Sequence, residues 1–264
     1  MAEQLHAQLV GAHEAVFSGL LEATADLDGD GWATPTGCPG WDVHDQLAHT
    51  VAVERFMLGD TPRMVEVPDL DHVDDEFSRL IETGVHVRRG DDGTALREEA
   101  DQTFARRLEM LRALRPESLG EQMDGPGGMR MKGSQMLRTR IFDLVAHEQD
   151  IRRALGRAAS LDGPAGEIAR EQVLRAWAKV LPGKLDETGV LSIEVTGPLA
   201  TTRSIPLDGA ASDGASPRVV IRGSGAQLLA LGCGRSDAPD LEDLEIDGDI
   251  ELARAVVAQA SITP

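Results

Sequence analysis

The chain has 264 residues, enough for one or two domains and a substantial core. Its formal net charge of −19 leaves no surplus of cations to neutralise nucleic-acid phosphates or to hold an anionic membrane surface. No apolar run approaches roughly 18 residues and no basic-then-apolar leader is present, so neither membrane spanning nor secretion is expected. The two cysteines, Cys38 and Cys233, are far apart and form no C-x-x-C, which suits a reducing, cytoplasmic compartment without a disulfide framework. Whether the chain is a monomer or a homodimer is left open.

Residues 4–27 carry Leu5, Leu9, Val16 and Leu20 at helical spacing and predict a first helix. It runs into Asp26-Leu27-Asp28-Gly29-Asp30-Gly31, which opens like a calcium loop. Position twelve of such a loop needs a bidentate glutamate, and here it is Gly37, so the stretch reads as a solvated acidic turn. Two prolines and two glycines between Pro35 and Gly40 fix the next turn. Asp42 is a good N-cap for a helix over 43–58, whose buried stripe includes Val43, Leu47 and Val51. His49 and Glu54 are set into that helix.

Residues 59–93 have weak periodicity and several prolines. They predict a long connection with one short helix near 74–83, lying outside the bundle core, of the kind that forms lids and binding elements. Residues 94–114 are helical again and Pro116 ends them. Residues 121–133, with Gly125-Pro126-Gly127-Gly128, read as loop. The stretch 136–156 is one amphipathic helix stopped by Gly156. A further helix over 165–180 ends at Pro182-Gly183. Strands follow at 190–196, 201–207 and 218–222, then a short helix over 225–232, a strand at 241–246 and a closing helix over 249–260. Helices first and strands later predict an α+β chain of two domains. The boundaries are expected at 1–160 for the helical bundle, 161–188 for a connecting helix and linker, and 189–264 for a small α/β domain.

Within 136–156, Asp143 and His147 are four apart and share a helix face. Such a pair is either half of a metal site or an intrahelical hydrogen bond. In an antiparallel bundle His49 can face them across the core. Two histidines and a carboxylate from facing helices, with one position open, form a catalytic-type zinc shell. Asp150 is either a residue that orients a ligand imidazole or an i, i+3 partner for Arg153. Cys38 reads as packed, because no histidine has matching context for a nucleophile. His6, His13, His44, His72 and His86 lack a partner motif. Trp32 and Trp41 read as lids over the bundle end.

The run from Thr36 to His49, TGCPGWDVHDQLAH, followed by Glu54, resembles the opening of the second bundle helix in the DinB-like, mycothiol-dependent maleylpyruvate isomerase family. The stretch Asp143-x-x-x-His147-x-x-Asp150-x-x-x-Ala154-x-Gly156 resembles that family's second metal motif. The resemblance covers residues 5–156. More loosely, Leu229 to Arg235 and Gly248-Asp249 are similar to the family's small C-terminal α/β domain, which looks like a sterol-carrier fold. The resemblance implies a four-helix bundle holding zinc through His49, Asp143 and His147. Asp143 stands where the family often has glutamate, which is one methylene longer. It also implies mycothiol as thiol cosubstrate, a small electrophile as substrate, and an arginine of the C-terminal domain that grips an acidic substrate. Arg235 is the candidate, and its other reading is a surface arginine after a glycine turn. Zinc lowers the pKa of a bound thiol, and the thiolate can add to an electrophilic carbon. The function expected is therefore thiol transfer or isomerisation. A metal hydrolase of the same bundle and a non-catalytic metal-binding protein are the alternatives.

Overall fold

The helical periodicities of the first 156 residues become a ring of four long helices in the computed structural model, which describes residues 1–124, 130–207 and 216–263. Two compact units divide the chain, residues 1–160 and 161–264. In the first, the ring is made by α1 (Ala2–Ala23), α3 (Val43–Met57), α5 (Gly93–Ala113) and α6 (Gly133–Ala154), with neighbours in the order α1, α5, α3, α6. Side-chain pairs fix their directions. His6 reaches the Leu111 carbonyl and Arg97 the Leu21 carbonyl, so α1 and α5 are antiparallel. Gln46 meets His147 and Arg140 meets Thr50, so α3 and α6 are antiparallel as well. Glu54 pairs with Arg107 and His44 lies against Asp91, so α3 and α5 run parallel.

The core inside the ring is apolar where the sequence stripes predict. Leu9, Leu20, Leu47, Leu137, Ile141 and Leu144 are fully buried, and Phe17 stacks on Phe104 at 4.3 Å. Outside the ring, the segment between α3 and α5 carries α4 (Glu76–His86), whose N-terminus is fixed by a capping box of Asp75 and Ser78. Helix α4 packs on α3 where Gly84 meets Ala52; a Cβ on Gly84 would lie only 2.7 Å from that of Ala52.

Four local expectations are corrected. Asp28 caps a short helix, α2 (Gly29–Trp32), through a 3.0 Å bond from the Gly31 amide, where a turn was expected. The stretch read as loop over 121–133 contains β1 (Gln122–Asp124) paired antiparallel with β2 (Arg130–Lys132). Strands of three residues are too short to reveal a period of two; the glycine-rich residues 125–128 lie outside the described residues. Helix α7 (Pro164–Lys184) passes through Pro182 instead of stopping there. So close to the helix end, proline forfeits only one backbone bond. The strand expected at 241–246 begins later, because Asp240 and Asp243 form a tight capped turn ahead of β6 (Glu245–Gly248).

The second unit is a four-stranded sheet with helices. Its order is β4 (Thr201–Pro206), β3 (Val190–Thr196), β5 (Val219–Ser224), β6, with β3 and β5 parallel and the outer pairs antiparallel. Helices α7, α8 (Gly225–Gly232) and α9 (Ile250–Gln259) pack on it. Trp177 of α7 is buried and donates to the Ala260 carbonyl at 2.6 Å. Gly248 has φ +99°, and a Cβ there would collide with the Arg218 carbonyl oxygen, so only glycine closes that strand end. No helix among the described residues is long and apolar enough to cross a membrane.

Candidate metal centre

The turn before α3 sets the site. Gly40 has φ +75° and the His72 ring occupies the space a Cβ would take, so the Pro39-Gly40 step needs glycine. Asp42 then caps α3 by accepting from the Asp45 amide at 2.9 Å. One turn further, His49 faces α6. There it meets Asp143 and His147, and one ligand atom from each of the three lies within 4.8 Å of the others. His49 Nε2 is 3.5 Å from Asp143 Oδ2, His147 Nε2 is 3.5 Å from Asp143 Oδ1, and the two imidazole centroids are 4.5 Å apart. The three residues singled out in the sequence therefore converge.

The arrangement suits a divalent metal. Both histidine side chains are about 6% exposed, while Asp143 is 35% exposed, so one side of the cluster stays accessible. Both ring nitrogens of His49 are buried without a hydrogen-bond partner. Leaving such a group unsatisfied costs roughly 1–3 kcal/mol, which a coordinated cation would offset at one nitrogen. Burial, together with the adjacent His147, pushes His49 down to about 4, so its imidazole is neutral at pH 7. Burial alone would raise Asp143, but the Arg140 guanidinium and the two histidines hold it well below the usual carboxylate range. Two imidazoles and a carboxylate are the donor set of a catalytic zinc site with an open position.

Several supporting residues were not anticipated. The Nδ1 proton of His147 is given to the Gln46 side-chain oxygen, which frees Nε2 to face Asp143. Gln46 donates in turn to Thr36 Oγ1 at 2.7 Å, and Thr36 donates to the Trp41 carbonyl at 2.9 Å, which fixes the amide's orientation. Asp150 does not take that place. Its Oδ1 accepts from Arg153 at 2.9 Å, and its Oδ2 is 3.8 Å from His147 Nδ1. Arg140, three residues before Asp143, pairs with it and also with Glu54 at 2.5 Å, while Arg107 binds the other Glu54 oxygen at 2.8 Å. Glu54 is completely buried, so an ionic chain runs from the candidate metal cluster into the bundle core and ends at Arg107. Arg140 carried a local signal, its i, i+3 spacing to Asp143, whereas Gln46, whose partner His147 lies 101 residues on, carried none.

Trp41 covers the centre, with its ring 5.1 Å from His49 and 5.8 Å from His147, and its Nε1 donates to Glu82 of α4 at 2.9 Å. A cleft of about 150 Å³ opens on His49 between α3 and the segment carrying α4. A second acidic group, Asp42, His44 and Asp45, has ligand spacing too. Its members are already committed: Asp45 holds Arg89 through both oxygens, Asp42 caps the helix, and His44 lies 3.1 Å from the Asp91 carbonyl. Cys38 is half-buried in the turn, its amide donating to Thr36 Oγ1. Arg235 belongs to the second unit. It follows α8, with its amide on the Ala230 carbonyl and Nη1 on the Cys233 carbonyl at 3.0 Å.

Comparison with known proteins agrees with the motif reading. Residues 13–152 match the family model described as the mycothiol maleylpyruvate isomerase N-terminal domain. Among solved structures, the mycothiol-dependent maleylpyruvate isomerase is similar at 17% identity, with a TM-score of 0.58 over 88% of this chain and 91% of that one. A point mutant of the same enzyme is similar at 16% identity and the same score. At that identity the likeness establishes the fold. No curated protein matches the chain.

Proposed function

The chain belongs to the mycothiol maleylpyruvate isomerase N-terminal domain family, a family of enzymes, and from that membership we propose that it is a zinc-dependent thiol enzyme acting on a small electrophile, with mycothiol as its thiol. The observation that carries the proposal is the buried imidazole of His49, without a hydrogen-bond partner, beside His147 and the ionised Asp143. Zinc, when bound, supplies a Lewis acid that lowers a thiol's pKa, so thiolate is available at neutral pH for reversible addition to an electrophilic carbon.

The chain's own groups do the rest. His49, Asp143 and His147 hold the metal. Gln46 and Thr36 keep His147 in the tautomer whose Nε2 is unprotonated. Arg140 holds one carboxylate oxygen of Asp143 and, being bound to Glu54, cannot follow it outward. Trp41 excludes water from the histidine side, and the cleft at His49 admits the substrate. Arg235 is proposed, on the family resemblance, as a cation for an acidic substrate group, and a cytoplasmic setting belongs to the same reading. Isomerisation regenerates the thiol, whereas transfer consumes it. The test is turnover of maleylpyruvate and other electrophiles by zinc-loaded protein with and without mycothiol, while free thiol is titrated. Mycothiol-dependent turnover without thiol loss supports isomerisation. Stoichiometric thiol loss indicates a transferase, and equal turnover without mycothiol removes the thiol from the account.

A further inference from the structure

The cleft at His49 has a chemical character of its own. Ala52 and Phe56 of α3, Met64 of the following segment, and Leu80 and Ile81 of α4 line it. Three of these are left in contact with solvent although they are large and apolar: Phe56 is 42% exposed, Met64 73% and Leu80 44%. Apolar groups gathered around one concave site, with a few polar groups at its floor, are what a small-molecule site looks like. A cavity of this volume with apolar walls accommodates a body about as large as benzene.

Its charged members are mostly neutralised. Arg55 pairs with Glu99 at 2.6 Å and Asp60 at 2.9 Å, and Arg88 pairs with Glu99 at 2.8 Å. Arg106 also reaches Asp60 at 3.3 Å. Arg63 also lines the cleft and is exposed, and no hydrogen bond or ion pair engages it among the described residues. The cleft therefore combines a hydrocarbon wall, the Arg63 guanidinium, and a candidate metal ligand at its floor.

We propose that this cleft binds a carboxylate with an apolar body, the body lying against Phe56, Met64 and Leu80 and the anionic group meeting Arg63. This rests on the thiol-enzyme reading only for the identity of the bound molecule as the electrophile; the binding itself needs no chemistry. An apolar body recovers free energy by covering the exposed side chains, and arginine suits a carboxylate because its fork matches both oxygens.

The test is calorimetric titration of the full-length, zinc-loaded chain with octanoate and with 1-octanol, and with maleate as a short polar control. Octanoate and octanol should bind and maleate should bind at least about tenfold more weakly, a difference of about 1.4 kcal/mol. The double variant Met64→Ser/Leu80→Ser, at exposed positions, should lose about tenfold for both octyl ligands with unchanged zinc content. Arg63→Gln should weaken octanoate severalfold and leave octanol unaltered. Octyl ligands that fail to bind, or that bind the double variant as well as the native chain, would overturn the proposal. So would light scattering that shows the double variant converting a dimer to a monomer with ligand affinity unchanged, since the apolar wall would then be a subunit contact. Zinc or thiol binding that fails while octanoate still binds would instead refute the enzyme reading and leave this site standing.

Discussion

Glu54→Gln tests the ionic chain beneath the metal centre. Glu54 is 0% exposed, and its two oxygens receive Arg107 at 2.8 Å and Arg140 at 2.5 Å. Glutamine keeps the shape and one acceptor but removes the charge, leaving two buried guanidinium groups facing an amide. Breaking a buried pair by removing one partner costs roughly 3–5 kcal/mol, and the isosteric replacement belongs at the lower end. For a unit of 160 residues each kcal/mol corresponds to roughly 2–4 °C, so Tm of the bundle should fall by about 6–12 °C. Scanning calorimetry of the metal-free chain at pH 7 measures this without interference from zinc. Burial would raise the Glu54 pKa, but the two arginines overrule it and hold the folded value below 4.5. Its contribution is therefore present above pH 4.5 and lost as pH falls below that toward the folded value. Native protein should lose stability there more steeply than the variant. A Tm within about 2 °C of native, with parallel acid profiles, would refute the view that these groups form a stabilising charge network.

Gln46→Ala removes the acceptor for the His147 Nδ1 proton, so zinc affinity measured by chelator competition should fall about 10–100-fold while the bundle stays folded. Gly84→Ala places a Cβ 2.7 Å from that of Ala52, and urea unfolding should show a loss of roughly 1–3 kcal/mol as α4 is pushed from α3. His13 is buried and its pKa is lowered to about 4 by burial, so the unfolded chain takes up its proton near 6.5 while the folded chain does not. Stability at this position is intact above pH 6.5 and falls as pH drops from 6.5 to 4, and His13→Asn should flatten that part of the profile. Arg235→Ala should lower turnover of an acidic substrate without altering zinc content; unchanged kinetics would remove Arg235 from the account.

The long elements were legible because their burial repeats many times. The stripes of α1, α3 and α6 each span three or more turns, and the turn before α3 is fixed by proline and glycine that have few other uses. The convergence of the candidate ligands was legible for a different reason. Asp143 and His147 share a helix face by spacing alone, and His49 sits mid-helix on the partner that must face them. What escaped reading depends on contacts between segments distant in sequence. Gln46 reaches His147 across 101 positions, with Thr36 behind it, and nothing local marks a glutamine as an imidazole's partner. Glu54 was visible, but the arginines that neutralise it lie 53 and 86 residues away. The hairpin of β1 and β2 is too short for a period.

X-ray absorption at the zinc edge tests the central claim most directly, recorded on the full-length, zinc-loaded chain before and after mycothiol is added. The account predicts one zinc per chain with a nitrogen and oxygen shell near ~2.0–2.1 Å, no sulfur at first, and one sulfur neighbour near ~2.3 Å once the thiol is present. His49→Ala should abolish stoichiometric loading. A chain that binds no zinc, or a zinc shell that gains no sulfur at saturating mycothiol, would contradict it.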